Sequence, residues 1–221
     1  IETFSPFGFP REYEDPVVNT TLALSQSGNI KDGLLLISLA YPPSSENVLL
    51  WQLHRVLASL AGGCLLTYNG TKFDIEYVIR RGKLHDVDFE STFVDLSHLD
   101  LYNIARRSQI DFPCYSQKVV ENYLGIRRVI EGLSGGGYHK FFLDFIETGN
   151  PKAIFYNIED SRDAANSERS EASLLEMPQT NVYPKISDVA CLDLYSLKLC
   201  TLLHDLGKPD CWANERPFTD H

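Results

Sequence analysis

Apolar residues form short runs in the first part of the chain, and this pattern predicts paired β-strands. Residues 20–25 and 33–41 are strand-like, and the segment Ser27-Gly28-Asn29 between them has the composition of a turn. We therefore expect an antiparallel hairpin that lies beside a strand carrying Glu2.

The next stretch predicts a helix followed by a strand. Ser45 is a suitable N-cap, apolar residues recur at helical spacing over 48–60, and Gly62-Gly63 ends the helix. Residues 64–68 are nearly all apolar, as in a strand that is covered on both faces. A helix between two strands favours their parallel pairing through a crossover.

From residue 73 onward the pattern is largely helical. Residues 73–81 predict a helix that ends at Gly82, and residues 92–96 predict a final strand. Further helices are predicted over 99–107, 116–124 and 138–148, and a long one begins at Asn150 as N-cap with Pro151. Together these elements predict an α/β fold with a mixed sheet, antiparallel first and parallel after the crossover, flanked by helices.

The helical pattern is interrupted over residues 177–185, where Pro178, Asn181 and Pro184 indicate a linker. Residues 187–206 then predict another amphipathic helix. We expect one main domain over residues 1–176 and a C-terminal helical extension over 177–221.

Composition excludes several classes of protein. The 221 residues are 43% hydrophobic, which is enough for one ordinary core. No run approaches the ~18 consecutive apolar residues of a membrane span. The five cysteines are odd in number and widely spaced, so neither a disulfide framework nor a zinc site is supported. We expect a soluble protein of the reducing cytoplasm.

The formal net charge of −10 argues against a protein that coats nucleic acid through a broad basic surface. An active site made of carboxylates is still compatible with this charge, because bound divalent cations reverse the local field. Positive contacts to a nucleic acid would then be local, and the candidates are Lys72, Arg80, Arg81, Lys83, Arg106, Arg107, Arg127, Arg128 and Lys140.

Three acidic segments occur in order along the chain. Ile1-Glu2-Thr3 is followed by Tyr68-Asn69-Gly70-Thr71-Lys72-Phe73-Asp74 and then by Tyr156-Asn157-Ile158-Glu159-Asp160. On a helix, Tyr156 and Asp160 share one face because they are four residues apart. Carboxylates brought together from three segments are the hard oxygen ligands that Mg²⁺ or Mn²⁺ requires.

This set resembles the DEDD family of 3'-5' exonucleases, which have a ribonuclease H-like fold and the motifs Asp-x-Glu, Asn-x-x-x-Phe-Asp and Tyr-x-x-x-Asp. The resemblance extends to about residue 172 and is closest to predicted exonucleases related to the proofreading domain of family B DNA polymerases. It includes the segments His98-Leu99-Asp100-Leu101 and Asn122-Tyr123-Leu124-Gly125-Ile126. The third motif begins with Tyr156, and in this it resembles the tyrosine subclass of the family.

The resemblance implies hydrolysis of phosphodiester bonds with two divalent metal ions, Mg²⁺ or Mn²⁺. Glu2 and Asp160 would ligate the catalytic ion, and Asp74 would support the second ion. Tyr156 would orient the attacking water. The implied substrate is a single-stranded nucleic-acid end, with DNA favoured over RNA, and its implied contacts are Thr3, Asn69, Lys72 and Phe73.

The first motif of the family begins with an aspartate, and the chain opens one residue later, at Ile1. We expect Asp directly before Ile1 in the natural protein. A side chain at that position lies one pleat from Glu2, on the same face of the strand, where it would bridge both metal ions.

Two alternatives within the same fold stay open. One is a non-catalytic nucleic-acid-binding or accessory domain that lacks the first aspartate, and the other is a structure-specific endonuclease. If the chain has no active site, these residues have structural roles only. Asp74 would then cap a helix, Tyr156 would pack in the core, and Glu2 and Asp160 would be solvated carboxylates.

Two further signals are weak. His204-Asp205 resembles the core of HD phosphohydrolases, but the chain lacks room for that fold's later aspartate helix. An acidic cluster that includes His85, Asp86 and Asp88 is more typical of a solvated loop than of a metal site.

Overall fold

The computed structural model describes residues 1–25, 35–108, 110, 112–126, 128–130 and 135–175, with side chains up to Ala165. The amino-terminal part forms an antiparallel sheet of three strands, β1 (Glu2–Thr3), β2 (Val17–Leu24) and β3 (Leu35–Ala40), in the order β1-β2-β3. Glu2 lies opposite Asn19, with an irregularity between Glu2 and Thr3. This arrangement agrees with the predicted hairpin and its neighbouring strand.

A second sheet contains β4 (Cys64–Thr67) and β5 (Ser97–Asp100), which pair in parallel. A short 3-10 turn (Pro43–Ser45) and helix α1 (Glu46–Ala58) connect the first sheet to β4. Helices α2 (Asp74–Leu84) and α3 (Phe89–Val94) connect β4 to β5. The predicted mixed α/β fold, antiparallel first and parallel later, is therefore confirmed.

The remaining described residues are helical. They form α4 (Leu101–Arg107), α5 (Gln117–Tyr123), a 3-10 turn (Gly135–Gly137), α6 (Tyr138–Thr148) and α7 (Lys152–Leu175). Gly149 ends α6 in the left-handed region, with a φ of 78°. The side-chain oxygen of Asn150 then accepts a hydrogen bond of 3.2 Å from the backbone of Lys152 at the start of α7.

The core lies on both faces of β2. Val17 packs against α1, α2 and α3 in one apolar cluster, and Val18 packs against α6 and α7 in another. Successive strand residues point to opposite faces, so these helices form two layers with β2 between them. A smaller third cluster joins α4 to α5 through Ala105, Phe112 and Val120.

A buried ion pair connects α1 to α2. The carboxylate of Glu46 accepts hydrogen bonds from Arg81 Nε (2.8 Å), the backbone N–H of Val17 (2.7 Å) and the His85 ring (2.8 Å). Removing one partner of a buried pair leaves an uncompensated charge, at a cost of about 3–5 kcal/mol. This network stabilises the packing of α1 against α2.

Two predictions of elements were wrong. The predicted strand over residues 92–96 is largely helix α3, because the side chain of Asp88 caps that helix by accepting a hydrogen bond from Ser91 N. The strand in this part of the chain is β5, which begins at Ser97. Helix α2 continues past Gly82, which the sequence suggested as its end. A Cβ at Gly82 would lie 2.5 Å from the ring of Phe89, so this glycine permits close packing.

The predicted turn at 27–29 and the linker and helix over 177–221 lie outside the described residues, so the domain boundary at 176 stays a prediction. None of the helices in the described residues is both long and apolar enough to cross a membrane.

Candidate active site

Three acidic residues from distant parts of the chain face one cavity. Glu2 lies on β1, Asp74 is the first residue of α2, and Asp160 lies on α7. All three line a cavity of about 680 Å³, together with Ile1. The three carboxylates named from the sequence therefore line the same cavity.

The carboxylates interact electrostatically. Burial raises the pKa of Glu2 to about 8, and the negative charges of Asp160 and Asp74 contribute to this rise. Burial also raises the pKa of Asp160, although Arg128 acts in the opposite direction. The mutual repulsion of these carboxylates favours the binding of positive charge, whereas burial favours their protonated forms.

Positive groups already pair with two of these carboxylates. The amino nitrogen of Ile1 lies 2.8 Å from Asp74 Oδ1. Asp160 Oδ1 pairs with Arg128 Nη1, whose Nε also lies 2.7 Å from Glu121.

A divalent cation such as Mg²⁺ needs several oxygen ligands close together. Among the described residues, no group of three His, Cys, Asp or Glu side chains is close enough to hold a metal ion as placed. The chemistry of Glu2, Asp74 and Asp160 nevertheless suits Mg²⁺ or Mn²⁺, since all three are carboxylates that line one cavity. The residues therefore fit a divalent cation in kind, and one of them, Asp160, is paired with Arg128.

Tyr156 lies one turn before Asp160 on α7 and is 3% exposed. Burial raises the pKa of its hydroxyl, and the charges of Asp160 and Glu2 raise it further. The Nζ atom of Lys118 lies 4.9 Å from the centre of the Tyr156 ring. The phenol thus stays protonated beside the carboxylates, with a positive charge nearby.

The loop before Asp74 is fixed by Asp100 at the end of β5. Asn69 has a positive φ of 62°, and its backbone N–H donates to Asp100 Oδ1 at 2.7 Å. The N–H of Thr71 donates to Asp100 Oδ2 at 3.1 Å. A Cβ at Gly70 would lie 2.5 Å from the side chain of Thr67. These constraints set the position from which α2 begins with Asp74.

The residues predicted to contact substrate are placed differently from one another. Thr3 is buried, and its hydroxyl forms a 2.8 Å hydrogen bond with that of Ser5. Asn69 shapes the loop through its backbone. Lys72 is exposed, with Nζ 5.9 Å from the centre of the Tyr102 ring. Phe73 packs edge-on against Phe9 at 5.9 Å.

Sequence reasoning missed several residues of the site. Asp100 was named only within the segment His98-Leu99-Asp100-Leu101, which resembles the exonuclease family. Its hydrogen bonds to the loop before Asp74 could not be predicted, because β5 was not predicted. Arg128 was named only as one of several basic residues. Gln117 bonds the carbonyl of Asp160 at 3.0 Å, and Asn157 lines the cavity. No periodicity marks these residues, because they come together through tertiary packing.

Comparison with known families is decisive about the fold. The family model described as the RNase H superfamily matches residues 18–166, about two thirds of the chain. The chain belongs to the RNase H superfamily. The matched range contains Asp74, Tyr156 and Asp160, and it begins after Glu2. A search of curated proteins found no match.

Membership of the RNase H superfamily indicates nuclease-type activity and nucleic-acid binding in general terms. RNase H-like nucleases generally use divalent metals, which agrees with the acidic character of the cavity. The chain is thus an RNase H-like domain, and its acidic cavity is the candidate site for nucleic-acid hydrolysis.

Proposed function

We propose that this RNase H superfamily protein is a 3'-5' exonuclease of the DEDD type, tyrosine subclass, that hydrolyses single-stranded nucleic-acid ends with two divalent cations. The observation that carries the proposal is the placement of Glu2, Asp74 and Asp160 on one cavity, with Tyr156 one turn from Asp160. The 3'-5' polarity and the preference for DNA rest on the resemblance of the three motifs.

In this proposal the carboxylates of Glu2 and Asp160 hold the catalytic cation, and Asp74 supports the second. Such cations, when bound, activate water and stabilise the charge on the scissile phosphate. Asp100 fixes the loop that positions Asp74 through its two backbone hydrogen bonds. Gln117, which bonds the Asp160 carbonyl, supports this part of α7.

Tyr156 has the role of a hydrogen-bond donor. Because burial and the nearby carboxylates raise the pKa of its hydroxyl, the group keeps its proton at neutral pH. It therefore positions water or a phosphate oxygen and does not act as a general base. Lys118, beside the Tyr156 ring, supplies positive charge for a phosphate in an otherwise acidic site.

Two exposed aromatic side chains support a single-stranded substrate, and one of them contacts the residue before Asp74. Phe7 and Phe9 are 88% and 82% exposed, on the loop that follows β1. Phe9 contacts Phe73, which directly precedes Asp74. Unpaired bases stack on such rings without regard to sequence, at about 1–3 kcal/mol per base. Bases within a duplex are already stacked and would gain little.

The experiment that tests the proposal uses a 3'-labelled single strand, a 5'-labelled single strand and a circular single strand, each with Mg²⁺ or Mn²⁺. We expect mononucleotide release from the 3' end, stepwise shortening of the 5'-labelled strand and no cleavage of the circle. Cleavage of the circle would replace the exonuclease with an endonuclease. A chain with Asp joined before Ile1 is included, since the resemblance places a metal ligand there.

A second candidate function is a nucleic-acid-binding domain without catalysis. The pairing of Asp160 with Arg128 favours it, because an arginine that neutralises this carboxylate leaves less charge for a cation. Binding of single strands with no product in any divalent metal, even with Asp joined before Ile1, would select this alternative.

A further inference from the structure

The surface around α4 is basic, although the chain as a whole is acidic. It consists of residues 68–73, which precede Asp74, together with α4 and residues 112–118. None of these segments contains Asp or Glu, whereas the whole chain has 30 such residues and a net charge of −10. The neighbouring Asp111 lies outside the described residues. Four basic residues belong to this surface, which we name the α4 surface: Lys72, Arg106, Arg107 and Lys118.

Three half-buried tyrosines join the segments of the α4 surface. The rings of Tyr68 and Tyr102 meet edge to face, with their centres 6.1 Å apart. The hydroxyl of Tyr68 donates a hydrogen bond of 2.8 Å to the carbonyl of Tyr115. Tyr68 and Tyr115 also pack against the third apolar cluster, which joins α4 to α5. The tyrosines therefore hold the three segments in fixed relative positions.

Two exposed cations of the α4 surface lie over these rings. Lys72 Nζ is 5.9 Å from the centre of the Tyr102 ring, and Arg106 Cζ is 4.9 Å from the centre of the Tyr115 ring. Among the described residues, neither charged group pairs with a carboxylate, whereas the exposed Lys83 pairs with a glutamate at 2.6 Å. A ring attracts a cation without cancelling its charge, so both charges remain available to an anion.

The α4 surface adjoins the candidate active site at two points. Lys72 lies two residues before Asp74, and Lys118 Nζ lies 4.9 Å from the centre of the Tyr156 ring. From the site, the surface extends along α4 to Arg106 in the last turn, about 8 Å beyond the first residue of the helix. A strand whose end is bound at the carboxylates can therefore continue along this surface.

We propose that the phosphate backbone of a single strand, on the 5' side of the nucleotide in the site, lies across the α4 surface and contacts Lys72 and Arg106. The inference rests on the proposed function, because hydrolysis of the 3' end places the rest of the strand on the 5' side. Cations held at intervals along a surface suit the repeated phosphates of a strand. Such local contacts allow an acidic protein to bind a polyanion.

An acidic peptide is the alternative partner of a basic surface. The position of the α4 surface favours the nucleic acid, because the surface adjoins a site whose proposed substrate is itself a polyanion. The half-buried rings of Tyr102 and Tyr115 favour it as well, since bases stack on aromatic side chains.

The salt dependence of binding tests the proposal. Lys72→Gln, Arg106→Gln and the double variant are titrated with a labelled single strand of about 12 nucleotides, at several salt concentrations and a fixed concentration of Ca²⁺. Each lost phosphate contact should reduce the slope of log affinity against log salt by about 0.7. Because salt screens these contacts out near 1 M, binding in 0.1 M salt should weaken about fivefold for each variant and about 25-fold for both. Equal slopes in the parent and the double variant overturn the proposal.

Two controls separate a phosphate contact from other effects. Arg55→Gln removes the same charge from an exposed position on α1, and its affinity and slope should equal those of the parent chain. Phe9→Ala should weaken binding without changing the slope, because a stacked ring releases no counterions. The Tm should stay level in the lysine and arginine variants, since these side chains are exposed. A slope that falls as much in Arg55→Gln as in Arg106→Gln contradicts a localised contact.

Hydrolysis of a 3'-labelled strand, measured in parallel, distinguishes failure of this surface from failure of the nuclease. Product from the parent chain with unchanged slopes in the double variant overturns the α4 surface and leaves the nuclease intact. Reduced slopes with no product in Mg²⁺ or Mn²⁺ support the surface and remove the nuclease. A polyglutamate peptide whose binding is lost in Arg106→Gln, while strand binding is unchanged, assigns the surface to an acidic protein and overturns the proposal.

Discussion

Arg128 joins two carboxylates, since its guanidinium pairs with Asp160 on α7 and with Glu121 on α5. Glu121 is fully buried, and burial raises its pKa while the hydrogen bonds from Arg128 act against that rise. The arginine therefore has two effects. It compensates a buried charge, and it neutralises a carboxylate that the proposed function assigns to a cation.

The first prediction is that Arg128→Gln separates these effects. The free energy of unfolding should fall by about 3 kcal/mol, because Glu121 is left buried without its cation. Affinity for Mn²⁺ should rise, because a positive charge leaves the neighbourhood of Asp160. Urea unfolding and Mn²⁺ titration followed by calorimetry measure the two quantities.

Arg80→Gln is the matched control for that variant. Arg80 forms exposed ion pairs with Glu12 and Glu76, whose loss should cost no more than about 1 kcal/mol. Its Mn²⁺ affinity should not change. Weaker Mn²⁺ binding by Arg128→Gln than by Arg80→Gln would mean that the arginine supports the cation site and does not compete with it.

The second prediction concerns pH and Glu2. Its pKa is about 4.5 when unfolded and about 8 when folded, so between these values the folded protein holds a proton that the unfolded chain has lost. Stability from this group is therefore complete below pH 4.5 and is lost as pH rises towards 8. Without divalent metal, the Tm should fall between pH 5 and pH 8.

Glu2→Gln tests this origin of the pH dependence. An amide does not titrate, so the decline in Tm over the same range should become shallower. The raised pKa of Asp160 gives a remaining slope of the same sign. An unchanged slope in Glu2→Gln would show that Glu2 is not the titrating group.

The third prediction concerns the exposed rings. Phe7→Ala and Phe9→Ala should each weaken the binding of a short single-stranded DNA by about 1–3 kcal/mol, because each ring stacks on a base. Folding should be unaffected, since both side chains are largely exposed. Fluorescence anisotropy with labelled DNA, in the presence of Ca²⁺, measures the affinity. Val94→Ala, at an exposed apolar residue on α3, is the control and should bind like the parent chain.

Much of the fold follows from local sequence. Helix α6 was predicted with both of its bounds because Gly149 ends it, and α7 was predicted from Asn150, which caps it. The prediction of a strand at residues 92–96 was wrong for a local reason. Its apolar residues fit a short helix as well as a strand, and the cap from Asp88 favours the helix.

The candidate site was predicted in part. Glu2, Asp74, Tyr156 and Asp160 were named from the spacing of motifs along the sequence, and the three carboxylates among them line one cavity. The contacts of Asp100 were not predicted, because they depend on the pairing of β4 with β5. The contact of Arg128 with Asp160 was not predicted, because it joins residues that are far apart in the sequence. Such long-range relationships leave no periodic signal in the sequence.

The last prediction compares Asp160→Asn with Tyr156→Phe, in a chain with Asp joined before Ile1. Asp160→Asn removes an anionic ligand, so metal affinity and turnover should both collapse, while Arg128 keeps its bond to Glu121 and the Tm changes little. Tyr156→Phe keeps the buried ring and loses the hydroxyl, so metal binding should survive and turnover should fall by roughly 10²-fold or more. The two variants must therefore fail differently. If both digest a 3'-labelled single strand at the parent rate in saturating Mg²⁺, these residues are ordinary parts of α7 and the nuclease proposal is wrong.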